Sequence, residues 1–331
     1  MKNRLIIWMS LLLGVSACEE TIIPEDAADN PQAVFDALWT FTDEYYCYFD
    51  LKGVDWDSVR TVYQPRISHD MSNLELLEVL GSMLNTLRDG HTDLSTPLRD
   101  SFYDNSLLYP RNFDFGVIAR NYLVQGEAPT YASYSGFRVA MLPGNILYLY
   151  YGSFSNPTSP LVDILEDFPN SNGMILDVRN NGGGSEDPVM AGYFTNTEKL
   201  VGYYAQKNGP ARDAFTDRLS VRVQPGEIFY DQKVAILTNR SSYSATTLFC
   251  QYMKVFDDVI QVGDTTGGGA GSPLDYDLPN GWTVRVSTSP HFGVDGANYE
   301  EGVPPDIAVM DDPITLEVDE IIERALEELR Q

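Results

Sequence analysis

The chain has 331 residues and carries 48 Asp and Glu against 22 Lys and Arg, a formal charge of −26. A field of that sign repels nucleic acid and anionic lipid headgroups, so nucleic-acid binding is set aside and an acidic, soluble surface is expected. Hydrophobic residues make up 43%, enough to build the core of one large domain or two smaller ones, and with three His and three Cys no cluster has zinc spacing. No metal site and no cofactor are expected.

The N-terminus predicts an export signal over residues 1–17. Lys2 and Arg4 give a positive start, the apolar run Leu5 to Val15 is too short for a final membrane span, and small residues follow. Val15-Ser16-Ala17-Cys18 resembles a bacterial lipobox, which implies cleavage before Cys18 and lipidation of its thiol. Residues 18–30 are polar and acidic and are expected to form a lipidated tether. Glu19, Glu20, Glu25 and Asp26 resemble the surface-export signals of Bacteroidetes lipoproteins. The expected location is the cell envelope, as an outer-membrane lipoprotein held by its lipid alone, with the periplasmic and surface leaflets both open. Losing residues 1–17 removes two positive charges and no acid, taking −26 to −28. Cys47 and Cys250 then remain, and could pair in an oxidising compartment.

A helix is predicted after Asn30-Pro31, with Val34, Phe35, Leu38, Phe41 and Tyr45 on one face. The aromatic group Tyr45, Tyr46, Tyr48 and Phe49 is expected in the core. A second helix runs from about Asn73, with Leu74, Leu77, Leu80, Leu84 and Leu87 at helical spacing, and stops at Asp89-Gly90. From about residue 110 short β-like runs take over. Strands are predicted at Asn145 to Tyr151, Gly173 to Val178, Lys233 to Thr238 and Trp282 to Ser287. Helices are expected near Leu161–Asp167, Ala245–Val255 and Leu316–Leu329. This order predicts an N-terminal helical domain over 31–95, a short insert over 96–140 and an α/β core over 141–331.

Three separated segments carry chemistry. A buried apolar strand, Val234-Ala235-Ile236-Leu237, runs into Asn239-Arg240-Ser241-Ser242-Tyr243-Ser244-Ala245 and then a helix. A serine at such a turn has an exposed hydroxyl at the positive helix end, which suits a nucleophile. The same position suits a helix N-cap, and the local sequence alone favours the cap. His91 follows a helix end in Asp89-Gly90-His91-Thr92, either a capping residue or an imidazole pointing across a cleft. His69 and His291 have no comparable setting. Asn180-Asn181-Gly182-Gly183-Gly184 follows a strand and offers free backbone N–H groups, as an oxyanion hole requires. A plain turn fits as well, whereas a phosphate cradle lacks its Lys-Ser/Thr. Gly267-Gly268-Gly269 is expected as a mobile loop near the site.

Together and in this order, these segments resemble the tricorn-core and C-terminal processing serine peptidase family. Its Asp-x-Arg-x-Asn-x-Gly-Gly loop matches Asp177 to Gly184, and its Gly-Val-x-Pro-Asp segment matches Gly302-Val303-Pro304-Pro305-Asp306. Gly53-Val54-Asp55-Trp56-Asp57 extends the likeness into the N-terminal region. The resemblance implies a crotonase/ClpP-like α/β core. It also implies Ser244 as nucleophile, His91 as general base, and the N–H groups of Gly183 and Ala245 as oxyanion donors. Gly182, Gly184 and Gly268 would line the substrate. In the tricorn-like branch an acid completes the site; Glu300 is the match, with Glu301 close behind.

Four departures qualify this. Classical C-terminal processing peptidases use a Ser-Lys dyad, but Gly268 stands at the lysine position. The second serine of the tricorn-like tetrad is replaced by Gly90, and Ala245-Thr246-Thr247 replaces the common Ala-x-Glu. The segment Thr96 to Ala140 is too short for the PDZ domain of many relatives, so substrate choice would rest on the cleft. The implied reaction is hydrolysis of peptide or protein substrates through an acyl-enzyme. Its rivals are a weak or inactive relative that binds peptides or hydrophobic ligands, and a carboxylate-based glycan hydrolase.

Overall fold

In a computed structural model of the chain, residues 30–104, 109, 112–125, 128–129, 132–185, 189–310 and 317–331 are described. The signal, Cys18 and the tether up to residue 29 lie outside these, as do residues 186–188 and 311–316. Among the described residues no helix is long and apolar enough to cross a membrane.

Three of the four predicted strands lie side by side in one seven-stranded sheet, whereas Trp282 to Ser287 falls in a separate four-stranded sheet, as strand Thr283–Ser289. The order of the seven-stranded sheet is Ile307–Ala308, Val259–Gly263, Val234–Thr238, Gly173–Asp177, Ile146–Tyr151, Phe137–Leu142 and Ala132–Tyr134. The first five are parallel and the last two join antiparallel. Such a sheet must be covered on both faces, which is why Val234–Leu237 is apolar and the whole strand Val234–Thr238 is buried. Val234 and Ile236 point to one face, against Leu248 and Phe249 of helix Ala245–Met253 and Leu161 and Ile164 of helix Pro160–Asp167. Ala235 and Leu237 point to the other, against Ile118 of helix Phe115–Tyr122 and Ile321, Ile322 and Leu326 of helix Glu320–Leu329.

The N-terminal helices form their own core. Asn30 caps helix Pro31–Tyr45 by accepting from the N–H groups of Gln32 and Ala33. Ser72 and Glu75 make a capping box at the start of Asn73–Leu84. Trp39 and Trp56 each donate their indole N–H to the other's carbonyl, at 3.2 and 3.1 Å. This core is completed by Leu278, Trp282, Val284 and Val286, which come from a hairpin of the C-terminal half, Ser272–Asp277 with Thr283–Ser289. The hairpin pairs in turn with Asp93–Ser95, the strand just after His91. Thus the helical region and the α/β core meet through this hairpin, and the His91 turn lies at the junction.

Several expectations need correction. Leu74 is 54% exposed and Leu76 takes its place in the core, because the buried stripe follows 76, 77, 80, 83 and 84. Tyr45 is exposed, stacked on Phe41, while Tyr46, Tyr48 and Phe49 are buried. The boundary at 140/141 falls inside strand Phe137–Leu142, so the expected insert supplies part of the sheet. The last helix begins at Glu320, capped by Asp319. Cys47 and Cys250 are both free thiols, held in different cores, so they do not pair.

Candidate active site

The three chemical segments converge. Strand Val234–Thr238 delivers the chain to a turn held from within: the Asn239 carboxamide accepts from the N–H of Ser241, and the Ser242 hydroxyl donates to the Val178 carbonyl at 2.8 Å. The same carboxamide accepts from Asn180 N–H, and Tyr243 N–H donates to the Asn181 carbonyl. The serine turn and the glycine loop are therefore bound to each other by side chain and backbone. At the end of the turn Ser244 has φ 59° and ψ −122°, a conformation seldom adopted by a residue with a Cβ. Although it stands at the N-cap position, its side chain makes no capping bond. Its hydroxyl faces His91 instead, with 2.8 Å between Ser244 Oγ and His91 Nε2.

The other ring nitrogen fixes the tautomer. His91 Nδ1 is 3.0 Å from the carbonyl of Gly271, which can only accept, so Nδ1 carries the proton and the Nε2 lone pair is turned to the serine. Asp89, buried two residues earlier, accepts the His91 backbone N–H at 2.8 Å and the Ser287 hydroxyl at 2.8 Å. Burial lowers the His91 pKa below its ordinary value, while the Asp89 charge works against that. The imidazole is therefore neutral, a base with a free lone pair, at neutral pH.

Glu300 does not touch the imidazole. Its carboxylate accepts the Gly271 N–H at 3.1 Å and lies 3.5 Å from the Lys52 ammonium, so it acts on the residue that holds His91. The reason is steric: the loop through Gly269 and Gly271 passes between the two side chains, and Glu300 also accepts Gly269 N–H at its own carbonyl. Burial, then the Asp89 charge, push Glu300 well above the usual carboxylate range, and Lys52 opposes the shift. Glu301 is exposed and pairs with Lys52 at 2.6 Å.

The glycines divide. A Cβ on Gly183 would come within 2.8 Å of Ser244 Cβ and 3.1 Å of Ala245 N, so only glycine lets the two backbones meet here. Among the described residues the Ala245 N–H has no acceptor within the protein, whereas the Gly183 N–H donates to Asn181 Oδ1 at 3.0 Å. Gly182 is exposed with open space at its Cβ position, and Gly184 packs on Ser155. Gly268, expected at the substrate, is buried. Its carbonyl accepts from Ser244 N–H and from the Thr247 hydroxyl, and a Cβ there would strike the Glu300 carbonyl. It is a strut under the serine turn. Among the described residues no three His, Cys, Asp or Glu side chains gather as a metal site.

Asp89, Gly271, Lys52 and Tyr243 are the parts that sequence reasoning missed. Asp89 alone carried a signal, as the acid of the Asp-Gly-His-Thr turn; Tyr243 stands in the serine turn itself, beside the nucleophile, while Gly271 and Lys52 are brought in by the approach to the hairpin and by the first helices.

Known proteins agree with this architecture. The profile of peptidase family S41 matches residues 145–309, and that of the tricorn protease C1 domain matches 27–85. A protein from Parabacteroides merdae ATCC 43184, itself a candidate peptidase, is 37% identical with a TM-score of 0.85, over 91% of this chain and 97% of its own. CPAF complexed with lactacystin shares the fold at 12% identity and a TM-score of 0.67, over 92% of this chain and 98% of its own. The photosystem II D1 C-terminal processing protease does so at 16% and 0.51, over 84% and 92%. The chain belongs to the tricorn-like branch of peptidase family S41 and is a serine-type peptidase.

Proposed function

We propose that the protein hydrolyses peptide bonds in peptide or protein substrates through an acyl-enzyme on Ser244, with His91 as general base. The observation that carries this is the 2.8 Å contact between His91 Nε2 and the hydroxyl of a serine in a strained, uncapped turn. Nε2 takes the Ser244 proton as Oγ bonds to the substrate carbonyl carbon, and returns it to the amine as the C–N bond breaks. Water then attacks the ester, its proton goes to Nε2, and the Oγ–C bond breaks with that proton delivered to Oγ. The Ala245 N–H, free and at a helix start, is the ready oxyanion donor; Gly183 N–H joins it by sharing its bond with Asn181. A lysine base is not available where the buried Gly268 stands. Asp89 supports the imidazolium by its charge, and Glu300 positions the Gly271 residue that holds Nδ1.

Mass spectrometry of an unbiased peptide mixture, incubated with the protein and with Ser244→Ala, tests this. Cleavage products are expected with the native protein only. Products formed equally by Ser244→Ala would sink the proposal.

The pH dependence follows from the burial of His91. The acid limb of kcat/KM reports the free base. Because the His91 pKa is lowered, activity should climb with rising pH through a midpoint below 6.5 and be level at neutral pH. Asp89→Asn removes the charge that favours the imidazolium, so the midpoint moves lower still and the plateau drops on the order of tenfold. A midpoint that rises in Asp89→Asn would contradict this assignment.

A further inference from the structure

The surroundings of Tyr243, the residue before the nucleophile, are shaped around its ring. The ring packs edge-on against His91, with centroids 5.1 Å apart and planes at 66°. A Cβ on Gly269 would fall 2.3 Å from its Cζ, and one on Gly267 3.1 Å from its Cδ2. Those two glycines have further reasons to be glycine, a positive φ at Gly269 and the Arg240 carbonyl beside Gly267. Gly90 has none. Its φ is not in the left-handed region, and the three atoms nearest to an added Cβ are the Oη, Cζ and Cε2 of Tyr243, at 2.7, 3.1 and 3.7 Å. The position adjoining the base is bare, and the phenol fills that space.

Among the described residues the hydroxyl is buried without a hydrogen bond of full geometry; the Gly90 N–H faces it closely enough to act on its charge but is poorly aligned. Such a group costs about 1–3 kcal/mol if left so, a cost that a core tyrosine avoids by being phenylalanine. Burial first, then the charges of Asp89 and Glu300, hold its pKa well above the ordinary phenol value, so it remains a neutral donor. It borders a cavity of about 110 Å³ that also contains Glu300, Lys52 and Arg88. The ring therefore touches the base on one side, and the residue shares the lining of this cavity with the acid on the other.

We propose that Tyr243 is a positioning residue for the base: its ring sets the tilt of the His91 imidazole, and its hydroxyl occupies the space left by Gly90, holding the Gly90–His91 turn so that Nε2 faces Ser244. The proposal rests on His91 and Ser244 acting as base and nucleophile. A displacement of the imidazole by an ångström or so slows acylation on the order of 100-fold.

The test measures the rate at which a fluorophosphonate labels Ser244, together with kcat and KM on a peptide cleaved by the native protein. Gly90→Ala should slow labelling and kcat by at least about tenfold with KM within about twofold, since only the reacting geometry is disturbed. Adding Tyr243→Phe removes the nearest atom that the new Cβ meets, leaving the Cζ contact at 3.1 Å, and should bring the rate back to within about threefold of Tyr243→Phe alone. Tyr243→Phe alone should melt no lower than the native protein, having lost a hydroxyl that makes no hydrogen bond of full geometry among the described residues. Native labelling rates in Gly90→Ala, or a double variant no faster than Gly90→Ala, would overturn the proposal. Should Gly90→Ala not fold, Tyr243→Leu takes its place. It should label at least about tenfold more slowly, with its acid limb moved up towards 6.5, because the ring is part of the burial that lowers His91. An unchanged rate and an unchanged limb would again overturn it. Labelling of Ser244→Ala at the native rate would remove the serine reading itself, and this proposal with it.

Discussion

Replacement of His91 by alanine is expected to slow peptide hydrolysis by about four to six orders of magnitude, and to abolish labelling of Ser244 by a fluorophosphonate on the same scale. The size follows from how completely the serine depends on one group. Ser244 Oγ is 2.8 Å from Nε2, and Nδ1 is locked by the Gly271 carbonyl. Among the described residues the lysine that borders the site, Lys52, is engaged with Glu300 and Glu301 and does not substitute. Groups that act as a unit are not additive, so His91→Ala combined with Ser244→Ala should be hardly slower than either alone. What remains in all three is binding plus the oxyanion donor at Ala245. Retention of more than about a tenth of native turnover by His91→Ala would show that another base reaches the hydroxyl. Deletion of the acid should be milder. Glu300→Gln keeps a side chain able to accept the Gly271 N–H, and its effect passes through that residue, so a loss on the order of ten- to a hundredfold is the ceiling for an indirect positioning role.

The difference between those two effects also marks what the amino-acid order can reveal. Ser244 and His91 leave a local trace, a strand-to-helix turn for one and a tight Asp-Gly-His turn for the other, but each alone reads at least as well as a cap, and it is the order of the three segments that points to the site. Such turns leave a signature within a few residues. The oxyanion loop is legible for the same reason, as Gly183 must let two backbones touch. The partner of Nδ1 is not, because Gly271 lies 180 residues beyond His91 and contributes a carbonyl that any residue possesses. Glu300 can be matched to a family position, yet its contact is decided by where the Gly269–Gly271 loop passes, which is a property of the assembled hairpin. The sheet is legible because parallel strands buried on both faces must be largely apolar, as Val234–Leu237 is. The edge of the N-terminal core is less so. Leu74 and Leu76 are equally apolar, and only packing against Trp282 and its neighbours selects the face that is buried.

Arg179 is where fold and site are most tightly joined, and its replacement should have the largest effect on stability. The side chain is fully buried between two carboxylates. Its Nε and Nη2 reach Asp177 at 3.0 and 2.7 Å, and Nη1 and Nη2 reach Asp319 at 3.0 and 2.9 Å. Tyr148 donates to Asp177 as well, and Asp319 caps the last helix through Ile322 N–H. Arg179→Met fits the volume but leaves two buried carboxylates without a cation, which costs about 3–5 kcal/mol. Against a total of about 5–15 kcal/mol for a typical domain, that is enough to move a urea midpoint markedly. Removing one of the stranded charges should give part of it back, so Arg179→Met with Asp177→Asn is expected to be more stable than Arg179→Met alone. Arg179→Lys, which keeps a charge but not the planar fork, should fall between. Activity should suffer beyond the loss of folded protein, because Arg179 immediately precedes Asn180 and Asn181, whose bonds to Asn239, Tyr243 and Gly183 hold the glycine loop on the serine turn. If Arg179→Met shifted stability by less than about 1 kcal/mol, the two carboxylates would have to be carried uncharged in the fold, and the clamp would be a hydrogen-bonded cluster instead of an ionic one.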